Sequence, residues 1–525
     1  MRRVAAAVSS LLIACGRPPP TAIAVQTRPT LPVTAVSTDF TTEAERRTLF
    51  DTLVADVRKN HVFAEATQRN LGRRWEDDLP AVERELLAAK SERALTVALV
   101  HFNNSLHNAH CGFEPQSWCC PIGMPIRAEV EWRSDRPFFF VSRVDDPSQV
   151  SPGDEIRSVD GVAAEDLIAH HMLASNQNNL RSVAYDVASF LTHRRSSNAL
   201  TEEGDISTWV ARSAKTGADV TLELRWSTTP REGFDEFAIS YDQPTCANLA
   251  PRDYGPYEVT ARGQNFCLYE SRVPAYRPYP IIRQFSFNYI TGDAEHADHR
   301  VRADHDILLA ALTRIQPKGV LLDLRDNGGG NNPNWFMDWY ASGTYVDRFV
   351  LTHLSDDFST EESAMDAGVA HVGAYLEALK HRAPGQAFTA PRPFFTKPHD
   401  ASWDNRYTPS HRVTTAPIAL LVGPRCVSAC DSVASLFAEN HFGPLVGEPT
   451  ATAYTTQRIR RPVTIHGKQL GTMYLAFTRE LSGKTNEPIE GVPIHIDVPI
   501  DRTVANRAVY DRTLVDAGIK SLSRP

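Results

Sequence analysis

The 525-residue chain has no excess of basic charge: 55 Lys and Arg stand against 63 Asp and Glu, a formal net charge of −8. That excludes the broad basic face on which a nucleic-acid binder relies. Its N-terminal apolar run, Val4 to Ala14, is too short to cross a bilayer as a mature helix. No low-complexity tract interrupts a composition that reads as soluble and globular, and the length suits about three domains. Two devices are missing as well. The glycine turn at 328–330 is not followed by the Lys-Ser/Thr of a phosphate loop, and no Glu follows His107 as in an H-E-x-x-H metal helix. The set His107, His110, Cys111, Cys119 and Cys120 matches no common zinc spacing, so neither metal nor cofactor is expected.

What is present begins with "MRRVAAAVSSLLIACG". Arg2 and Arg3 precede the short apolar stretch, which reads as a cleaved export signal over 1–14. Leu12-Ile13-Ala14-Cys15 resembles the bacterial lipobox, which implies cleavage before Cys15 and lipidation of its thiol. Residues 15–40 then read as a lipidated cysteine and a Pro/Thr-rich tether. The expectation is an exported protein of the cell envelope, lipid-anchored to a bacterial membrane and facing the periplasm or exterior; an ordinary signal peptide cut elsewhere is the alternative. Export permits disulfides. Seven further cysteines leave at least one thiol unpaired, and Cys246 with Cys267 is the first pair to draw.

Residues 41–115 read as helical: Thr42 and Glu45 fit a capping box, and Leu49, Phe50, Leu53, Val54 and Val57 recur at helical spacing. From 121 to 228 strands dominate, "MPIRAEVEW" and "RPFFFVSRV" first. "SPGDEIRSVDGVAAEDL" follows, with a hairpin signal at Asp160-Gly161. That string resembles the carboxylate-loop half of PDZ domains, which bind extended chains by adding a strand to a sheet edge. Residues 229–280, rich in Tyr and Pro, read as an irregular insertion. Residues 281–505 read as an α/β core with helices on a mixed sheet, interrupted by an insertion at 350–412, and 506–525 as a tail.

Two stretches of that core carry chemistry. "KGVLLDLRDNGGGNN" (318–332) ends a buried strand in glycines whose amides can approach a ligand closely. "VGPRCVSACDSVASLF" (422–437) sets Ser428 between a strand and a helix, where it is either an N-cap or a nucleophile. Amides of Ala429 and of the glycine turn (Gly328, Gly329) would together form an oxyanion hole. Cys426 and Cys430 beside the serine read as buried packing residues, or as a redox-sensitive thiol or disulfide.

"GVLLDLRDNGGG", followed about a hundred residues later by the Ser428 stretch, resembles the C-terminal processing (tail-specific) peptidase family. The resemblance implies a mixed-sheet α/β serine peptidase core with an N-terminal helical region and a PDZ-like domain, acting on peptides or unfolded proteins. One departure matters. In the matching stretch "VGEPTATAYTTQ", Ala453 stands where many members carry a base lysine. The tricorn-like branch uses a histidine instead, and "SLHNAHCGF" puts His110 on it, with His107 as competitor. Imidazole suits a general base because its pKa lies near the working pH. The branch's orienting acid falls on Glu490 in "NEPIEGVPIHIDVPI", with Glu487 as alternative. The reading without catalysis keeps the fold and makes the chain a peptide-binding scaffold; the missing lysine and the altered "CVSACD" motif favour it.

Overall fold

Thr42 and Glu45 cap the first helix reciprocally in the computed structural model: Glu45 N–H donates to Thr42 Oγ1 at 3.2 Å, and Thr42 N–H to Glu45 Oε2 at 2.8 Å. The structure describes residues 40–523 except 63, 117–121, 135, 195–205, 227–245, 247–251, 290–293, 331–332, 370, 395–404 and 455–456. The signal segment and, but for its last residue, the tether lie outside the described residues. Among the described residues no helix is long and apolar enough to cross a membrane.

Four helices follow: α1 (Glu43–Asn60), α2 (Ala64–Leu71), α3 (Trp75–Ala88) and α4 (Glu92–Asn104). Helices α1, α3 and α4 share a core in which Val82, Leu86, Leu95, Ala98 and Phe102 are fully buried, while Leu71 of α2 packs against the β-unit that follows. The chain turns at 105–111 into β1 (Gly112–Pro115).

A small β-unit comes next. Strands β2 (Ile126–Arg133), β3 (Arg136–Val144), β4 (Glu155–Val159), β5 (Ile206–Arg212) and β6 (Asp219–Arg225) hydrogen-bond in that order. Helix α5 (Leu180–Phe190) covers one face through Val183, Ala184 and Val187. Asp160 and Gly161 take φ of 50° and 80°, the left-handed pair that a two-residue hairpin demands.

The central sheet has seven strands: β7 (Tyr257–Arg262), β8 (Phe266–Ser271), β9 (Ile281–Gln284), β10 (Val320–Asp323), β11 (Ile418–Val422), β12 (Leu445–Gly447) and β13 (Val498–Pro499). From β9 onward they run parallel. A parallel sheet is covered on both faces, which is why Val320–Leu322 and Ile418–Val422 are unbroken apolar runs. Helices α6 (Ala294–Ile315), α7 (Asn334–Tyr340) and α8 (Ala429–Asn440) supply one side of the core, through Leu308, Phe336, Val433 and Phe437. On the other side Leu514 and Val515 of α9 (Tyr510–Leu522) pack against Leu421 and Leu321 respectively.

Two expectations need correction. Residues 257–271, expected within an irregular insertion, form the antiparallel hairpin β7–β8 at the edge of the central sheet. The Tyr/Pro-rich flanks hid a short alternating strand and the apolar run "FCLY". The expected tail is the core helix α9, tied to the site strand by Arg325 Nη1 on Asp511 Oδ1 at 2.6 Å. Beyond α8, β14 (Arg458–Ile465) and β15 (Lys468–Ala476) form a sheet with β1, Gly112 lying opposite Tyr474. That pairing carries residue 110 to the core.

Candidate active site

Strands β10 and β11 are neighbours in register, Val320 beside Ile418, so the loops after both leave the sheet at one end. Ligands of open α/β sheets bind at that carboxyl end. The loop after β10 is the glycine turn; the loop after β11 carries Ser428.

Ser428 has φ 64° and ψ −122°, a conformation L-residues rarely adopt. Such strain costs on the order of 1–3 kcal/mol and persists only where its surroundings impose it. Three contacts do so. Asp431 Oδ2 accepts the Ser428 N–H at 3.1 Å. Cys426 and Cys430 are joined in a disulfide that spans the serine. Gly329, at φ +93°, lies so close that a Cβ there would meet Val427 O at 2.7 Å and Ser428 Cβ at 2.8 Å.

The Ser428 hydroxyl meets His110 Nε2 at 2.8 Å across 318 residues of sequence. His110 stands in the turn before β1, its N–H donated to Asn108 Oδ1 at 2.9 Å. Burial, helped by Arg458, pushes its pKa down to about 3, so the ring is a neutral acceptor over the ordinary pH range. Its Nδ1 is buried and has no hydrogen-bond partner among the described residues.

Glu490 is 3% exposed. Asn108 Nδ2 and Asn178 Nδ2 each donate to its Oε1 at 3.1 Å, and Tyr454 N–H to Oε2 at 2.8 Å. Asn108 thus links the carboxylate to the backbone of His110. From α2, Asn70 Nδ2 donates to Gly491 O at 2.7 Å and Arg69 to Glu490 O.

The competitors lie elsewhere. His107 is fully buried, its Nε2 3.2 Å from Asp78 Oδ2. Glu487 is exposed and holds its loop by its backbone, its carbonyl accepting from Ser482 N–H at 2.9 Å. Of the expected oxyanion donors, Gly329 has its N–H taken by Asn327 Oδ1 at 2.8 Å. No hydrogen bond from the N–H of Ala429 or Gly328 is found among the described residues. Ala453, where the lysine would stand, is buried and donates its N–H to Asp431 Oδ2 at 3.0 Å. Among the described residues no group of three or more His, Cys, Asp or Glu could hold a metal; Cys119 and Cys120 lie outside them. Cys111, of the same set, is buried, and burial pushes its thiol up to about 12.

Sequence reading missed Asp431. Fully buried, it also accepts Thr452 N–H at 2.8 Å, so it ties the serine turn to the loop behind it. Burial pushes its carboxyl up to about 7 against these backbone donors. Its signal was an acidic residue three places into a helix, where the dipole favours it.

Residues 286–498 match the model of Peptidase family S41. Mature CPAF complexed with lactacystin is similar in fold, with a TM-score of 0.67 at 15% identity, covering 91% of this chain and 98% of that one. Mature CPAF gives 0.64 at 13% identity, with 91% and 96% covered. No curated protein matches the chain. The match over residues 286–498 indicates a serine peptidase, and the neighbours share the chain's mixed α/β architecture.

Proposed function

We propose that the chain is an endopeptidase working through an acyl-enzyme on Ser428. His110 Nε2 takes the hydroxyl proton as Oγ attacks a peptide carbonyl, then returns it to the leaving amine. Water, deprotonated by the same nitrogen, releases the acyl group. The N–H groups of Ala429 and Gly328 bind the oxyanion. Glu490, which accepts from Asn108, Asn178 and the Tyr454 N–H, favours the imidazolium as it forms.

The observation that carries this reading is the 2.8 Å contact between His110 Nε2 and a strained Ser428. The small β-unit takes an extended chain by strand addition, as the PDZ resemblance implies. The protein works in the cell envelope, exported and anchored through Cys15. The disulfides Cys246–Cys267 and Cys426–Cys430 support an oxidising compartment.

The test is hydrolysis of a fluorescently labelled unfolded protein by residues 25–525. Cleavage that vanishes in Ser428→Ala, with folding unchanged, supports the reading. Cleavage that survives the substitution ends it. A shift of the wild type to membranes in cells, lost with Cys15→Ala, tests the anchor.

A further inference from the structure

The carbonyls on both sides of His110 end on one side chain. Asn176 Nδ2 donates to Ala109 O at 3.3 Å and to Cys111 O at 2.7 Å. Two residues on, Asn178, 1% exposed, donates to Glu490 Oε1 at 3.1 Å. Asn179 donates to Ala451 O at 2.6 Å, and its own Oδ1 caps α5 by accepting Ser182 N–H at 2.8 Å. All three asparagines stand on the segment that leads into α5 of the small β-unit. That segment is fixed on its own side too: Ser175 Oγ donates to Asp186 Oδ2 at 2.7 Å. One short link therefore touches the histidine turn, the acid and the loop behind the serine.

Such a link answers a need of this site. Among the described residues no side chain partners Nδ1 to fix the ring's orientation, so the backbone of residues 108–111 carries that task. A carboxamide is suited to that task, because its NH₂ can donate to two carbonyls at once. It also binds Glu490 without a cation that would cancel the charge the imidazolium needs.

We propose that Asn176 and Asn178 are positioning residues of the peptidase site, by which the small β-unit holds His110 and Glu490 in register with Ser428. The inference rests on the reading of those three residues given above. Displacing a catalytic group by about 1 Å costs on the order of a hundredfold in rate. A loosened histidine turn should therefore lower the chemical step and leave ligand binding alone.

The experiment compares Asn176→Asp and the milder Asn176→Ala with Asn104→Ala, in residues 25–525. The aspartate keeps the shape but turns a carboxylate toward two carbonyls. Asn104→Ala removes a hydrogen bond of the same kind, Asn104 Nδ2 to Leu173 O at 2.8 Å, between the helical region and the β-unit. Fluorophosphonate labelling should show a maximal rate about tenfold or more lower in both Asn176 variants, with the half-saturating concentration unchanged, and no change in Asn104→Ala. Labelling of the Asn176 variants at the wild-type rate overturns the proposal. Hydrogen exchange over residues 106–113 reads the clamp without chemistry: it should quicken in the Asn176 variants alone, and equal exchange in all forms overturns the clamp. A wild type that does not label sinks the reading of Ser428, while the exchange comparison still decides the clamp.

Discussion

Gly329→Ala should disable the site while leaving the fold intact. The added Cβ would sit 2.7 Å from Val427 O, 2.8 Å from Ser428 Cβ and 3.0 Å from Ala429 N. Two of these neighbours are backbone and the third is the first side-chain atom of Ser428, so none can swing aside. Ordinary contact begins near 3.4 Å, so Ser428 must recede by about 0.6 Å, and interiors this densely packed transmit such a shift. The 2.8 Å bond to His110 would stretch in proportion. At roughly a hundredfold per ångström the loss is on the order of 10- to 100-fold in rate. The φ of +93° adds about 1–2 kcal/mol of strain. Gly217→Ala is the control: φ is +71° and nothing lies within 4 Å, so it carries the strain without the clash. Fluorophosphonate labelling rates and thermal unfolding of both variants are the assay. Greater destabilisation of Gly329→Ala, by about 1–3 kcal/mol for the clash, with activity lost only there, is expected. Wild-type labelling by Gly329→Ala would refute the argument that the glycine turn sets the serine's position.

Three further outcomes follow from the same contacts. Glu490→Gln replaces an acceptor with a donor among three donors, so it should cost about 1–3 kcal/mol of stability as well as most of the activity; urea denaturation and peptide hydrolysis check this. Replacing both Cys426 and Cys430 by Ser releases a loop worth about 2 kcal/mol and the turn at Ser428 with it, so labelling should slow; unchanged labelling would make the disulfide irrelevant to the nucleophile. The pH prediction depends on protons bound. Below pH 6.5 the unfolded chain protonates residue 110 and the folded chain does not until about pH 3, so this histidine lowers stability as pH falls through that window. His61, held near 4, acts in the same sense, while Asp186 and Asp431, raised to about 6 and 7, act oppositely. Substituting one group isolates its part: His110→Gln, though inactive, should gain about 2 kcal/mol over wild type between pH 8 and pH 5, and no gain would contradict the buried neutral ring.

Much of this was legible because it is local. The runs Val320–Leu322 and Ile418–Val422 announce buried strands, and Thr42 with Glu45 announces a helix start. Ser428 and His110 stood out by motif, and their meeting is a tertiary fact. What escaped reading depends on contacts distant in sequence. Asn176 reaches residues 65 and 67 positions away and Asn178 one 312 away, so "SNQNN" looks like any polar loop. Asp431 looks like a helix-start acid, and nothing local says that it also holds Thr452 and Ala453. Gly329 was expected to donate its amide to an oxyanion, yet Asn327 two residues earlier takes it; glycine here serves close approach instead. The hairpin at 257–271 and the helix Tyr510–Leu522 were passed over although their patterns are present: Tyr257–Arg262 alternates between Tyr/Pro-rich flanks, and Tyr510, Leu514, Val515 and Gly518 are buried at helical spacing.

The most direct measurement is reaction of residues 25–525 with a fluorophosphonate, the label mapped by peptide mass spectrometry, beside Ser428→Ala and His110→Ala. Label on Ser428 in the wild type, lost in both variants, is the result expected of a serine activated by His110. Label on another residue, or undiminished labelling of Ser428 in His110→Ala, would contradict it.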